Sequence, residues 1–197
     1  MYRKLTQKSL DIDWFIELDG VRVHIASNGG HIPWRSYKIR SIKRIYENVM
    51  AMSEEHAVGI NEAYINNLDG YEYLDNDDFK QRIKREDGSI PDKISLYSES
   101  FVSMAKRGFL SFDRTDFSSP FGDDLYRLIA WPSDLNNDWI DFFKGNNFPL
   151  VRLIELLLRD QKRARQEDEL LSLSGGGLYH FHLRLEEDAM KRVLKKL

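Results

Sequence analysis

Residues 13–26 read DWFIELDGVRVHIA, two runs of alternating side chains joined by Asp19-Gly20. An Asp-Gly pair favours a two-residue turn between antiparallel strands, because both turn residues need positive φ angles. Such a turn fixes the register of the strands, so Leu18 should lie opposite Val21 and Phe15 opposite His24. This stretch therefore predicts a β-hairpin.

The two faces of this hairpin differ in composition, since successive side chains of a strand point to opposite sides. One face is wholly apolar and carries Trp14, Ile16, Leu18, Val21, Val23 and Ile25. The other face is mixed and carries Asp13, Phe15, Glu17, Arg22, His24 and Ala26. His24 therefore lies on the polar side of the predicted hairpin.

The rest of the chain alternates between helical and strand-like patterns. Further strands are predicted near residues 109–112, 125–131 and 178–185. Helices are predicted near residues 35–52, 93–107, 149–171 and 187–197. Asp92 or Ser95 would cap the helix at 93–107, and Gly108 would end it. Residues 60–74 suggest a second hairpin, with Asp69-Gly70 or Asn66-Asn67 as its turn. Hairpins and helices without a regular βαβ rhythm indicate an α+β fold with a mainly antiparallel sheet.

Length and composition restrict the class of protein. A chain of 197 residues fits a single globular domain over residues 1–197. With 42% hydrophobic and 12% aromatic residues, the chain is too apolar to be disordered. The absence of cysteine excludes disulfides and cysteine-ligated zinc. The net charge of −3 argues against coating of nucleic acid by bulk charge.

The expected location is the cytoplasm. The basic start, residues 1–8, is not followed by the apolar core of a signal peptide. The most apolar stretch, residues 150–158, is interrupted by Arg152 and Glu155 and is shorter than the roughly 20 residues that span a membrane. We therefore expect no membrane association.

The most specific chemical feature is His180-Phe181-His182. On a strand both imidazoles would point the same way, a geometry that can chelate a divalent metal such as zinc. Arg184 extends that face and could bind an anion. If this strand joins the N-terminal hairpin, His24 could converge with His180 and His182, with Glu17 or Asp13 nearby. These histidines would then be metal ligands or acid/base groups of a metal- or phosphate-handling hydrolase.

A second feature is the basic run that follows the loop Asn28-Gly29-Gly30-His31. Residues 35–44 hold five basic side chains and no acidic one: Arg35, Lys38, Arg40, Lys43 and Arg44. This run could contact a phosphate or a nucleic acid. The alternative is the solvated face of an amphipathic helix, which makes nucleic-acid binding the less favoured function.

No established catalytic motif is present, whether a phosphate-binding loop, a dinucleotide fingerprint, a nucleophile elbow or a zinc-protease helix. The first functional hypothesis is therefore a non-enzymatic protein that acts through a protein partner or as a homodimer, without a cofactor. Aromatic loop residues such as Phe117 and Phe121 would serve as contacts. The hydrolase and nucleic-acid hypotheses stay as alternatives, so enzymatic activity is left open.

Overall fold

The computed structural model describes residues 13–18, 21–27, 39–69, 76–115, 125–135, 138–150, 172–173 and 179–181. In these residues helices pack on a β-sheet, which confirms the α+β class. The described helices are α1 (Ile39–Met50), α2 (Glu62–Asn66), α3 (Asp77–Arg82), α4 (Lys93–Lys106) and α5 (Asp138–Gly145). The described strands are β1 (Asp13–Leu18), β2 (Val21–Ala26), β3 (Val58–Ile60), β4 (Phe109–Arg114), β5 (Tyr126–Pro132), β6 (Ser172–Leu173) and β7 (Tyr179–Phe181).

The N-terminal hairpin is confirmed in both pairing and register. Strands β1 and β2 are antiparallel, with Leu18 opposite Val21 and Phe15 opposite His24. Trp14 and Ile25 of the predicted apolar face are 2% and 0% exposed. Local turn chemistry and side-chain alternation agree on this element, which is why the sequence predicts it well.

The sheet is mixed, so the prediction of a mainly antiparallel sheet is wrong. The described strands lie in the order β3-β5-β4-β2-β1-β7-β6. The pairs β2–β4 and β1–β7 are parallel. Parallel neighbours require a crossover connection, and the chain between β2 and β4 supplies one that contains α1 to α4. The alternation of side chains predicts each strand but does not reveal its partner.

Several predicted boundaries are close to the observed ones. Helix α4 begins after Asp92, whose side chain accepts a hydrogen bond from the Ser95 N–H at 2.7 Å, and it ends before Gly108, whose φ is +89°. Helix α1 lies inside the predicted range 35–52, and strands β4 and β5 match the predicted ones closely. The predicted helix at 187–197, all but the first two residues of the helix at 149–171, and most of the strand at 178–185 lie outside the described residues.

The second hairpin predicted at residues 60–74 is wrong over its described part. Strand β3 ends at Ile60, and helix α2 follows at once. Asn61 caps this helix by accepting a hydrogen bond from the Tyr64 N–H at 3.4 Å. Its side-chain amide also donates to the carbonyls of Leu128 and Lys144, at 2.9 and 3.1 Å. These contacts with β5 and α5 favour a helix start over the turn that local sequence suggests.

Helices cover both faces of the sheet. We call the face that carries Phe15, His24 and Phe109 the helix face. It packs against α1 and α4. The core cluster on this face is Phe15, Ile45, Val49, Met104 and Phe109. On the opposite face the Phe112 ring meets the Phe143 ring of α5 edge to face, with 5.3 Å between centroids. The mixed face of the hairpin is therefore also part of the core.

Candidate functional site

His24 lies in the interior beneath α4 and is 1% exposed. Its Nδ1 lies 2.7 Å from the hydroxyl of Ser111 on β4, which itself is fully buried. Its Nε2 lies 3.6 Å from Oδ1 of Asp13 and, within the described part of the chain, makes no hydrogen bond. The imidazole also contacts the rings of Phe15 and Phe101, at centroid distances of 5.1 and 6.2 Å.

We expect this environment to give His24 a structural role. A substrate could reach neither the ring nor the Ser111 hydroxyl, because both are covered by the helices on the helix face. The hydrogen bond between them joins β2 to β4, whose pairing is parallel and sets His24 opposite Ser111. A buried polar group of this kind stabilises a fold when it is satisfied and destabilises it when its partner is removed.

The variant Ser111→Ala tests this role. It would leave Nδ1 of His24 buried without its partner, so we expect the free energy of unfolding to fall by about 1–3 kcal/mol. Urea denaturation followed by circular dichroism would measure the loss. Ser100→Ala, at an exposed position of α4, is the matched control and should stay within about 0.5 kcal/mol of the parent protein. Equal stability of the two variants would refute the structural role.

The other predicted metal ligands are described only in part. Strand β7 pairs position 180 with Glu17, and Glu17 pairs with Arg22. Position 180 therefore lies level with Arg22 across the sheet, whereas His24 is paired two residues further along β2. His182 and Arg184 lie outside the described residues. Among the described residues there is no group of three or more histidine and carboxylate side chains that could hold a metal ion. The convergence of His24, His180 and His182, and a zinc ion between them, stay predictions.

The basic run is likewise described only in part. Arg35 and Lys38 lie outside the described residues, whereas Arg40 belongs to α1. Arg44, later in the same helix, is exposed. Contact of this run with a phosphate or a nucleic acid stays a prediction.

A different polar group forms where α4 ends. Gly108 adopts φ +89°, the left-handed conformation that terminates many helices. The backbone N–H groups of Glu55 and His56 donate to the Lys106 carbonyl at 3.0 and 3.1 Å, which holds the segment after α1 against this helix end. Strand pairing adds Arg22, which lies opposite Phe109. Together with an aspartate that follows β5, these residues form the Gly108 site: Arg22, His56, Gly108 and Asp134.

Asp134 orients the imidazole of His56. Nδ1 lies 3.0 Å from Oδ2 and 3.2 Å from Oδ1 of this carboxylate. The hydrogen bond from His56 holds the pKa of Asp134 below its ordinary value, although some burial opposes the shift. Because a carboxylate can only accept, Nδ1 is the donor and the other ring nitrogen is directed elsewhere. A Cβ atom at Gly108 would lie 3.1 Å from Nε2, so this nitrogen borders the space above the glycine.

Arg22 reaches the same space from β2. Its Nη1 would lie 3.6 Å from a Cβ atom at Gly108. Its Nε lies 3.5 Å from Oε2 of Glu17, an ion pair that restrains the guanidinium. The side chains of Arg22 and His56 are 38% and 37% exposed, so a ligand from solvent can reach both. Two nitrogen groups thus converge at a position where the chain has no side chain.

The neighbouring charges are already matched with one another. Glu54 forms ion pairs with Lys106, at 3.5 Å, and with Arg107. Arg107 also donates to the carbonyl and hydroxyl of Ser103 in α4. The side-chain nitrogens that lie nearest to a Cβ atom built on Gly108 are those of His56 and Arg22.

The sequence identified two members of this site, each for another reason. Gly108 is predicted as the stop of a helix, and Arg22 as part of the mixed hairpin face. His56 and Asp134 belong to no recognisable motif, and 78 positions separate them. Their only signal was the presence of a histidine and an aspartate in loops beside predicted elements.

Comparison with known proteins adds no relative: no family model, curated protein or solved structure matches this chain. Every helix in the described ranges is too short or too polar to cross a membrane. The case for function therefore rests on the geometry of the Gly108 site.

Proposed function

We propose that this protein binds a small oxyanion, the phosphate, sulfate or carboxylate group of a ligand, at the Gly108 site. One observation carries the proposal: a Cβ atom built on Gly108 would lie 3.6 Å from Nη1 of Arg22 and 3.1 Å from Nε2 of His56, and both side chains are partly exposed. Guanidinium and imidazolium groups are the side chains that donate charge-assisted hydrogen bonds to such anions.

The ion pair between Arg22 and Glu17 is compatible with this function. It engages Nε, whereas Nη1 is the atom that borders the proposed anion position. The pair is partly buried, with the Arg22 side chain 38% and the Glu17 side chain 16% exposed, and it orients the guanidinium. Glu17 therefore positions Arg22 rather than blocking it.

The proposal keeps the chemistry of the hydrolase alternative but changes the residues. That alternative combined histidines with an arginine as anion clamp, at His24, His180, His182 and Arg184. His56 and Arg22 provide the same combination at a site that solvent reaches. Anion binding does not itself require catalysis, and the proposal is limited to binding.

The hypothesis of a protein partner or a homodimer stays a prediction, as does a cytoplasmic location. Within the described residues the large hydrophobic side chains that are exposed are Tyr46, Met50 and Ile90. Tyr46 and Met50 are four residues apart on α1, so they lie on one side of that helix. Two side chains form a smaller apolar surface than stable protein interfaces present.

Arg22→Gln tests the proposed function. We expect the affinity for sulfate, phosphate or acetate to fall by about tenfold or more, because one charge-assisted hydrogen bond contributes about 1.5–3 kcal/mol. Isothermal titration calorimetry at constant ionic strength would measure the change. Arg82→Gln, which removes an equal charge from an exposed position on α3, is the matched control and should bind as the parent does. Equal losses in both variants, or no binding by the parent, would refute the proposal.

A further inference from the structure

We propose that the guanidinium group of Arg127 is a second binding point, which takes the carboxylate group of a ligand. This inference goes beyond the proposed function, because Arg127 lies away from the Gly108 site. In the sheet Arg22 is level with Phe109 at the start of β4, whereas Arg127 is level with Asp113 near its end. Four residues of an extended strand separate these two levels by about 13 Å.

The carboxylate that lies opposite Arg127 in the sheet does not bind it. Asp113 of β4 is the cross-strand partner of Arg127, an arrangement in which opposite charges can pair. The Asp113 carboxylate instead accepts hydrogen bonds from the Tyr97 hydroxyl and, at 2.8 Å, from the Arg114 backbone N–H. Within the part of the chain that the structure describes, no carboxylate forms an ion pair with Arg127.

Neutral groups hold the Arg127 guanidinium in place. Its Nε donates to Oδ1 of Asn147 at 2.8 Å, and its Nη1 donates to the Lys144 carbonyl at 2.9 Å. The ring of Tyr64 lies over the same group, with 5.0 Å between Cζ and the ring centroid. Burial lowers the pKa of Arg127, and Tyr64 opposes this shift. The fold thus fixes a partly dehydrated cation without providing a counter-charge among the described residues.

This guanidinium keeps hydrogen-bond donors for a ligand, and the surface beside it is open. Nη2 donates to no described group, because the contacts of Arg127 engage Nε and Nη1. Arg127 itself is half-buried, whereas Gly145 and Asn147 are exposed. A Cβ atom built on Gly145 would meet no atom of the described residues within 4 Å. A ligand can therefore approach Arg127 from the side of residues 145–147.

A single negative charge suits this position better than a double one. Lys144, the neighbouring cation, is already paired with Asp141 at 2.9 Å. Arg127 therefore offers one charge, which a carboxylate balances, whereas a phosphate dianion would bring excess charge to a half-buried position. The planar carboxylate also matches the geometry of a guanidinium donor. Small carboxylic acids and acidic side chains of peptides share this chemistry.

Nuclear magnetic resonance of the ¹⁵N-labelled protein tests this site directly. At constant ionic strength, sodium acetate should shift the Nε–H resonance of Arg127 and the amide resonance of Tyr64 to saturation, whereas sodium chloride should not. A blocked tripeptide with a central glutamate, compared with its glutamine analogue, shows whether an acidic side chain binds in the same way. A response to acetate, to the glutamate peptide or to both supports the site and identifies its source of carboxylate. If neither probe shifts these resonances, the inference is refuted.

Asn147→Asp should block the site from within the chain. The new carboxylate would replace the amide oxygen that accepts the hydrogen bond from Nε of Arg127 at 2.8 Å, and so supply the missing counter-charge. We expect acetate affinity at Arg127 to fall by about tenfold or more. Gln81→Glu adds the same charge at an exposed position of α3 and is the matched control. Equal acetate affinity in Asn147→Asp and the parent would refute the inference.

Two arginine variants separate this site from the proposed function. Arg127→Gln should lose the acetate response of Tyr64 and still bind sulfate at the Gly108 site. Arg22→Gln should lose sulfate binding and keep the acetate response of Arg127 and Tyr64. If Arg22→Gln abolished that response instead, the shifts would originate at the Gly108 site and the second binding point would be refuted. If the parent binds acetate at Arg127 but no anion at the Gly108 site, the proposed function fails and this inference stands.

Discussion

Phe112→Ala is expected to lower the free energy of unfolding by about 3–5 kcal/mol. Phe112 is 1% exposed and lies on the sheet face that α5 covers. Its ring meets Phe143 edge to face at 5.3 Å, and Phe143 meets Phe148 in the same manner at 5.5 Å. Removing the first ring leaves a cavity in this aromatic row and deprives α5 of a contact with the sheet.

Urea denaturation would measure this loss from the midpoint and slope of the transition. Ile90→Ala is the control, because Ile90 is 43% exposed and its truncation should change stability by less than about 0.5 kcal/mol. A loss below about 1 kcal/mol for Phe112→Ala would contradict the packing of α5 on β4. The same variant should leave sulfate affinity unchanged, since the Gly108 site lies on the helix face.

The sequence predicted those parts of the fold that depend on neighbouring residues. Asp19-Gly20 and the alternation around it determine the register of β1 and β2, and the cap at Asp92 and the stop at Gly108 determine the ends of α4. The parallel pairing of β2 with β4 depends instead on how four intervening helices fold back across the sheet. No local pattern encodes that choice, which is why the sheet was predicted as mainly antiparallel.

The mixed face of the hairpin shows a second limit. Alternation identifies which residues share a face, but it does not indicate what covers that face. Phe15 and His24 alternate with charged residues and still lie in the core, because α1 and α4 pack over them. His24 is accommodated there because the hydroxyl of Ser111 pairs with its Nδ1.

Of the Gly108 site, the sequence singled out only the glycine, as a helix end, and Arg22, as part of the hairpin. The members other than the glycine come from the hairpin, from the segment after α1 and from the turn after β5, and only the folded sheet brings them together. The pairing of β3 with β5 places the segments that carry His56 and Asp134 side by side. Their histidine–aspartate contact is thus a product of tertiary structure rather than of any motif.

Gly108→Ala is expected to combine a loss of stability with a loss of anion binding. At φ +89° an L-residue is strained, so the free energy of unfolding should fall by about 1–2 kcal/mol. The added methyl group would also lie 3.1 Å from Nε2 of His56 and 3.6 Å from Nη1 of Arg22. Since it would crowd the two nitrogens proposed to bind the anion, sulfate affinity should fall by about tenfold or more, equivalent to about 1.4 kcal/mol.

Gly88→Ala separates these two effects. Gly88 has a similar φ of +84°, but a Cβ atom there would meet only Cε of Lys84, at an ordinary 3.7 Å. Both alanine variants should lose stability in urea from the same backbone strain, and Gly108→Ala should lose somewhat more because of its 3.1 Å contact with His56. Only Gly108→Ala should lose sulfate affinity in calorimetry. If Gly88→Ala lost as much affinity, the loss would reflect general destabilisation. If Gly108→Ala bound sulfate as the parent does, the anion could not lie above this glycine.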